Sequence, residues 1–212
     1  MRNGYKLSIT TGLLLIAAAL SLSLYNLLDE HNAAQAADHA LEQILLEMPE
    51  PEPKPEQTTG PAEAVPLSEA EIPDYVLNPR MDMPVREIDD QEYVGTLEIP
   101  AIGLNLPVIS QWSYPGLKIA PCRYTGSVYL ENMTIAGHNY SAHFGDLKSL
   151  RPGDPVIFTD MDGNPFRYEA AAVETLQPTA AEEMTCSKYP LSLFTCTVGG
   201  QYRLVVRCHT AG

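Results

Sequence analysis

The sequence predicts a mainly β protein, with one small barrel or sandwich carried on a transmembrane helix and an extended stalk. Three observations lead to this prediction. An uncharged run lies near the N-terminus, a segment that alternates proline with charge follows it, and short β-rich runs separated by turn residues fill residues 93–212. Such regularly spaced short strands are typical of barrels and sandwiches. About 120 residues are enough to bury a self-sufficient core.

The first element is the uncharged run Leu7–Leu28. At about 1.5 Å per residue it spans about 33 Å as a helix, which exceeds a hydrocarbon core of about 30 Å. Arg2 and Lys6 precede the run and Asp29 follows it, so the positive-inside bias predicts a cytoplasmic N-terminus and an extracellular remainder. A cleaved signal peptide is the alternative, because residues 34–36 read Ala-Gln-Ala, a small-x-small cleavage pattern.

Residues 29–48 predict a short helix, with Ala37, Leu41, Ile44 and Met48 at 4-3-4 spacing. This seam would suit a weak dimer, but two heptads are too few to sustain a coiled coil. We therefore expect a simple stalk helix and a monomer. Residues 49–56 then alternate proline with charge, which favours an extended polyproline spacer that holds the domain off the membrane.

Residues 73–90 contain three prolines that exclude regular structure, yet they are more apolar than a free linker needs. The apolar residues are Tyr75, Val76, Leu77, Met81 and Met83. We expect a strap packed on the domain, and a lid over the active groove is the alternative.

The β-rich region follows. Candidate strands are residues 94–99, 106–109, 127–130 with 133–136, 155–160, 166–176, 191–197 and 201–208, with short helical turns near 145–150 and 180–185. The predicted organisation is cytoplasmic tip and anchor 1–28, stalk 29–72, strap 73–92 and catalytic domain 93–212.

The charge pattern excludes one class of partner. The net charge of −14 lies mostly outside the β region, where eight Lys/Arg residues face ten Asp/Glu. A domain without a basic face does not neutralise phosphates, so we expect no nucleic-acid partner. The chain has neither a glycine-rich phosphate loop nor a Cys-x-x-Cys pair, so we expect no cofactor and no metal.

Three residues carry the chemistry. The apolar strand 191–196 ends at Cys196, Arg203 opens the next strand, and a further apolar strand upstream ends at Gly137-His138. A thiol, an imidazole and a guanidinium placed where strands meet loops indicate an acyl-transfer site with a cysteine nucleophile. Thr195, beside the thiol, is a candidate substrate-binding residue.

The other cysteines are Cys122, Cys186 and Cys208. An even count in an exported domain normally suggests disulfides, but a nucleophile must stay free. Cys208 shares strand parity with Leu204 and Val206, so we expect it in the core. If the last two strands form a hairpin, Arg203 lies near Cys196, and Arg207, about 13 Å further along, is expected to be solvent-exposed. His143 and His209 are interpreted as structural.

Together these residues resemble the sortase family of cell-wall transpeptidases. The likeness rests on Leu193-Phe194-Thr195-Cys196 at a strand end, on the arginine seven residues later and on Gly137-His138 upstream. The segment 96–103, Thr-Leu-Glu-Ile-Pro-Ala-Ile-Gly, resembles the family's opening strand, and 144–147, Phe-Gly-Asp-Leu, its histidine segment. The histidine segment looks most like class B, but the short interval 177–190 lacks the long helix of that class, so the subclass stays open.

The resemblance implies an eight-stranded β-barrel and an extracellular enzyme anchored in the cell membrane. It implies that Cys196 attacks a sorting-signal peptide, that His138 is the general acid and that Arg203 stabilises the oxyanion. The partners would be sorting-signal peptides of secreted proteins and an amine of a peptidoglycan precursor or a pilin. Another exported Cys/His hydrolase and an inactive membrane-tethered binding barrel are the alternatives.

Overall fold

A computed structural model of the chain describes residues 4–48, 72–185 and 188–212. The helices are α1 Gly4–Glu47, α2 Asp74–Leu77, α3 Tyr114–Leu117 and α4 Ala181–Thr185. The strands are β1 Arg86–Ile88, β2 Gln91–Ile99, β3 Leu104–Ile109, β4 Cys122–Thr125, β5 Met133–Ala136, β6 Pro155–Asp160, β7 Pro165–Leu176, β8 Leu191–Cys196 and β9 Arg203–Thr210.

The sheet closes into a barrel of eight strands, as the family resemblance implies. Its order is β1-β2-β3-β4-β5-β8-β9-β7-β6, and β6 pairs back onto β2, which leaves β1 as an additional strand outside the closed ring. Gly95 lies on β2 where that strand pairs with both neighbours, and a Cβ at this position would overlap the carbonyl oxygen of Thr159 on β6. The closure therefore requires the absence of a side chain at residue 95.

The core fills the barrel with alternating side chains of the strands. Leu97, Phe158, Leu193 and Val206 are wholly buried in it, together with Cys208, as its strand parity predicts. Adjacent strands are antiparallel except for the pairs β3–β4 and β5–β8. The parallel pair matters for the site, because it brings the C-terminal ends of β5 and β8 to the same end of the barrel.

One strand prediction is wrong, and two strands were not predicted. Residues 127–130 do not form a strand: Ser127 accepts a hydrogen bond from the backbone N–H of Tyr129 at 3.1 Å and begins a 3-10 turn over Val128–Leu130. The strand of this region is β4, a few residues earlier, where the sequence analysis predicts none. β1 lies within the predicted strap and was also missed, because three residues are too short for a periodic signal.

The N-terminal helix differs from the expected membrane span with a separate stalk. It continues unbroken over Gly4–Glu47, and its second half lies on the barrel. Ala33, Ala37, Ala40 and Ile44 are each at most 3% exposed, in contact with the β1 and β3 region. The apolar seam at residues 29–48 is therefore buried intramolecularly. The proline-rich segment 49–56 lies outside the described residues.

Residues 72–88 lie on the barrel surface and reach into its core. Tyr75 stacks on Tyr129 with ring centroids 4.8 Å apart, and Met83 is 5% exposed within the core. Val76 and Leu77 are exposed. Tyr129 precedes the first residue of β5, so the Tyr75 contact lies at the opposite end of the barrel from the end of β8.

Candidate active site

Cys196 and Arg203 are direct neighbours across the β8–β9 pair. The register places Cys196 opposite Arg203, and directly opposed residues of antiparallel strands project their side chains to the same face. Both side chains are half-buried. The Arg203 guanidinium donates from Nη1 to the carbonyl oxygens of Gly200 and Tyr202, at 3.2 and 3.3 Å, so it is held against the loop that joins the two strands.

His138 reaches the same end of the barrel through the parallel β5–β8 pair. Ala136 lies opposite Phe194 in the register, and the N–H of Gly137 donates to the Phe194 carbonyl at 3.0 Å. His138 follows Ala136 by two residues, as Cys196 follows Phe194, so both lie at the same end of the barrel. Gly137 is needed here because a Cβ would lie 2.6 Å from the ring of Phe144. The structure thus brings the three predicted residues to one end of three adjacent strands.

The His138 imidazole lies in a mixed electrostatic environment. Burial lowers its pKa, the carboxylate of Asp29 raises it, and the ammonium group of Lys118 lowers it. Its ring stacks on Tyr140 with centroids 4.7 Å apart and an interplanar angle of 27°. A lowered pKa favours the neutral imidazole near neutral pH, so nearby negative charge is needed if this histidine is to act as an acid.

Thr195 lies on the opposite face of β8 from Cys196. Its side chain is 3% exposed, and its hydroxyl has no hydrogen-bond partner among the described residues. Neighbouring residues on a strand point to opposite faces. The structure therefore places the Thr195 side chain inside the barrel and does not bring it together with the other three.

The prediction of a solvent-exposed Arg207 is wrong. The residue is 4% exposed, and Nη1 donates to the Met184 carbonyl and the Ser192 hydroxyl while Nη2 donates to the Glu183 carbonyl at 2.6 Å. A 3.6 Å ion pair joins it to Glu174. The strand parity was right, but α4 covers this part of the face, and Arg207 holds that helix on the barrel.

The described cysteines divide by exposure. Cys122, Cys196 and Cys208 are free thiols, and Cys186 lies outside the described residues. Burial raises the pKa of Cys122 to about 11 and that of Cys208 to about 12. These two thiols are therefore protonated and enclosed at neutral pH, whereas Cys196 is half-buried.

The other histidines occupy different positions. His143 is wholly buried, and both of its ring nitrogens lack a hydrogen bond to any described residue. Burial, and then the nearby His138, lower its pKa to about 4. His209 is exposed near the C-terminus against the ring of Tyr189.

Aromatic side chains line a cleft beside β8. Tyr124 packs edge-on against Phe194, two residues before the thiol, and Trp112 packs edge-on against Tyr124. The cleft has a volume of about 420 Å³, and its lining includes Trp112, Arg123 and Tyr124. This is large enough for a small ligand or a few residues of a peptide.

Two residues beside the site were not predicted from the sequence. Asp29 lies on α1, and its carboxylate accepts a 2.6 Å hydrogen bond from the hydroxyl of Tyr140, the ring that stacks on His138. Asp29 precedes His138 by 109 residues, so only the packing of α1 on the barrel brings them together. The signal in the sequence was limited to the apolar seam that follows Asp29.

Across residues 4–48, 72–185 and 188–212, no group of three or more His, Cys, Asp or Glu side chains is arranged to hold a metal ion.

The barrel is similar to solved sortase structures. Sortase C1 of Streptococcus agalactiae aligns with a TM-score of 0.51 and 26% identity, covering 59% of this chain and 71% of that chain. A sortase D5 transpeptidase of Clostridium perfringens gives 0.50 and 22%, covering 57% and 79%. Sortase C of the same species, solved with the C-terminal cell wall sorting motif, gives 0.50 and 24%, covering 57% and 71%.

Sequence comparison leads to the same family. Sortase A of Bacillus anthracis is 28% identical over 115 residues, which cover 51% of this chain and 54% of that protein. The chain thus aligns with about half the length of this relative. The Sortase domain family matches residues 97–211, more than half of the 212 residues, from the last residues of β2 to the end of β9, and this region contains Cys196, His138 and Arg203. On this match and this fold, the chain belongs to the sortase family.

Proposed function

We propose that this chain is a membrane-anchored cysteine transpeptidase that uses Cys196, His138 and Arg203. The observation that supports the proposal is the strand register, in which Cys196 lies opposite Arg203 and β5, the strand that leads to His138, runs parallel to β8. Cys196 is the nucleophile, His138 the general acid and Arg203 the group that stabilises the oxyanion. An arginine suits the last role, because its planar fork donates two hydrogen bonds at once.

The reaction has two halves that share one thioester. In the first, the Cys196 thiolate attacks the scissile carbonyl carbon, the C–N bond breaks, and His138 gives its proton to the leaving amine. In the second, an acceptor amine attacks the thioester carbonyl, its proton passes to His138, and the sulfur departs as thiolate. A covalent intermediate lets one acyl group pass between two amines without free energy from another source.

The proposed acyl donor is a sorting-signal peptide near the C-terminus of a secreted protein. A structural neighbour from Clostridium perfringens carries a C-terminal cell wall sorting motif, which supports this substrate class. The aromatic cleft lined by Trp112 and Tyr124 supports a binding surface for such a peptide, because Tyr124 packs against Phe194, two residues before Cys196. The acceptor is an amine of a cell-wall precursor or of a pilin.

The N-terminal helix supports membrane attachment. The described residues include one helix long and apolar enough to cross a membrane, with a mean hydropathy of 1.8 in its most apolar window. Arg2 and Lys6 at its start favour a cytoplasmic N-terminus. The catalytic domain is then extracellular, where secreted donors and wall amines are available.

The test is transpeptidation of a library of sorting-signal peptides to an amine acceptor by the full chain. Cys196→Ala should abolish product and thioester formation and leave the melting temperature unchanged, because it removes only the nucleophile. Iodoacetamide should label Cys196 ahead of the buried Cys208. Full turnover by the alanine variant would refute the proposed nucleophile.

A further inference from the structure

The second half of α1 contacts the candidate active site directly. Asp29 accepts a hydrogen bond from the Tyr140 hydroxyl at 2.6 Å, and the Tyr140 ring stacks on the His138 imidazole. Because the Tyr140 hydroxyl is hydrogen-bonded to Asp29, the Tyr140 ring is held in its stack on His138. The hydrogen bond therefore limits the motion of the surface on which the imidazole rests.

Further contacts fix this part of α1 in place. Glu30 accepts hydrogen bonds from both the backbone N–H of Ser141, at 2.7 Å, and the hydroxyl of the same residue. Asp29 also pairs with Lys118 at 3.4 Å. Ala33 and Ala37, one and two turns further along, are at most 2% exposed against the barrel. Asp29 is thus held by its own helix and does not depend on Tyr140 for its position.

We propose that Asp29 and Tyr140 are positioning residues for His138, through which the first turn of α1 beyond the apolar span orients the imidazole. The inference deepens the proposed function and rests on the role of His138 as general acid. It assigns a part in catalysis to a carboxylate outside the barrel and outside the 97–211 region that matches the family.

The charges around His138 explain why a carboxylate matters. Lys118, after α3, adds positive charge, and the register brings Arg203 to the same end of the barrel. His143, in the loop that follows His138, is also buried, and its pKa is lowered. The carboxylate of Asp29 raises the pKa of His138, whereas burial and the Lys118 ammonium group lower it. Burial, and then the hydrogen bond to Asp29, raise the Tyr140 pKa to about 12, so its hydroxyl remains a donor across the working range of pH.

The experiment compares Asp29→Asn and Tyr140→Phe in the full chain, reconstituted in lipid nanodiscs. The pKa of His138 is followed by NMR of labelled histidine, assigned with His138→Asn, and kcat is measured against pH. Asn at residue 29 should lower the His138 pKa and shift the alkaline limb of the kcat profile to lower pH. We expect kcat to fall about tenfold, a part of the roughly 10²–10⁴-fold that a positioned acid supplies. The Asp29→Asn/Tyr140→Phe double variant should lose no more than the stronger single variant, because both act on one link.

Two controls separate positioning from docking or bulk charge. Glu30→Gln removes the negative charge from a docking contact without touching the Tyr140 hydroxyl, and Glu42→Gln removes a carboxylate about 20 Å further along the helix. Both should leave the His138 pKa and the pH limb unchanged. The proposal is overturned if Asp29→Asn leaves both unchanged, if Glu30→Gln reproduces its effect, or if the single losses add in the double variant. Turnover retained by Cys196→Ala would instead refute the proposed function, while the NMR comparison would still decide the link.

Discussion

Arg203 and Arg207 lie on the same face of β9, four residues apart, yet their guanidinium groups have different surroundings. Arg203 is half-buried at the strand end opposite Cys196 and bonds only to its own loop. Arg207 is buried under α4 and bonds to two of its carbonyl oxygens. The two environments agree with the proposed roles, because the guanidinium of Arg203 lies at the strand end opposite Cys196 and that of Arg207 is enclosed by α4.

This contrast gives a matched pair of substitutions. Arg203→Lys should lower kcat about 10²-fold, the usual loss for one oxyanion donor, and leave the melting temperature unchanged. Arg207→Lys should act on stability, since an ammonium group cannot reach both carbonyls and the Ser192 hydroxyl, and a buried acceptor left unpaired costs about 1–3 kcal/mol. Peptide kinetics and thermal unfolding of both variants check this. A large kinetic loss in Arg207→Lys at unchanged stability would show that Arg207 has the catalytic role proposed for Arg203.

Residue-level chemistry could be predicted from the sequence where strand parity was sufficient. Cys208 is in the core because alternate residues of β9 face inward, and its parity with Val206 was readable. The burial of Arg207 could not be predicted. Strand parity places this residue on the outer face of β9, and that face can be exposed to solvent or covered by another element. The five-residue helix α4 was expected as a turn, but nothing local indicated where it would pack.

At the scale of elements, α1 is the main departure from the prediction. The 4-3-4 seam was read as Ala37, Leu41, Ile44 and Met48, and the buried set is Ala33, Ala37, Ala40 and Ile44. The seam exists, but a helical period does not encode the surface that covers it. Small alanines allow close approach to the barrel, and that approach brings Asp29 to Tyr140.

The strands show the opposite behaviour. Most strands were predictable, because the residues of each segment alternate between apolar and polar, as expected for a strand with one buried face. β4 was missed because its four residues include Arg123 and Tyr124, which are only partly buried. The prediction failed at 127–130 because a serine cap outcompeted an apolar run.

His143 makes the stability dependent on pH. Its pKa is about 4 in the folded chain, against about 6.5 in an unfolded one, so between these values the unfolded state binds the additional proton. Stability should therefore fall as pH decreases from about 6.5 to about 4, by up to about 3 kcal/mol, and this contribution should level off below that range.

The measurement is the melting temperature of the full chain in detergent from pH 7 to pH 4, compared with His143→Gln. Glutamine carries no titrating group, so the variant should lose less stability over this range. Equal pH slopes in the two proteins would show that His143 does not account for the acid sensitivity.

At the scale of the whole molecule, we expect α1 to determine where the barrel of the proposed membrane-anchored protein stands relative to the membrane. The apolar run ends at Leu28, and the next residue already contacts the loop after His138 through Tyr140. Because α1 is continuous with the apolar run and docked on the barrel, we expect this helix, and not the segment 49–56, to set that distance. The proposed catalytic centre is then held close to the membrane surface, where a membrane-linked acceptor would meet it.

This arrangement can be tested with Trp112, the single tryptophan of the chain. Energy transfer from Trp112 to a headgroup-labelled lipid reports the distance of the barrel from the bilayer. Replacing residues 49–56 by a Gly-Ser segment of equal length should leave the transfer unchanged, because the docked helix fixes the distance. Ala37→Glu places an unpaired charge in the buried contact and should undock the helix and lower the transfer. Gln35→Glu adds the same charge on the exposed side of α1 and should have no effect. If instead the Gly-Ser replacement lowers the transfer and Ala37→Glu does not, the spacer sets the height of the barrel and α1 does not.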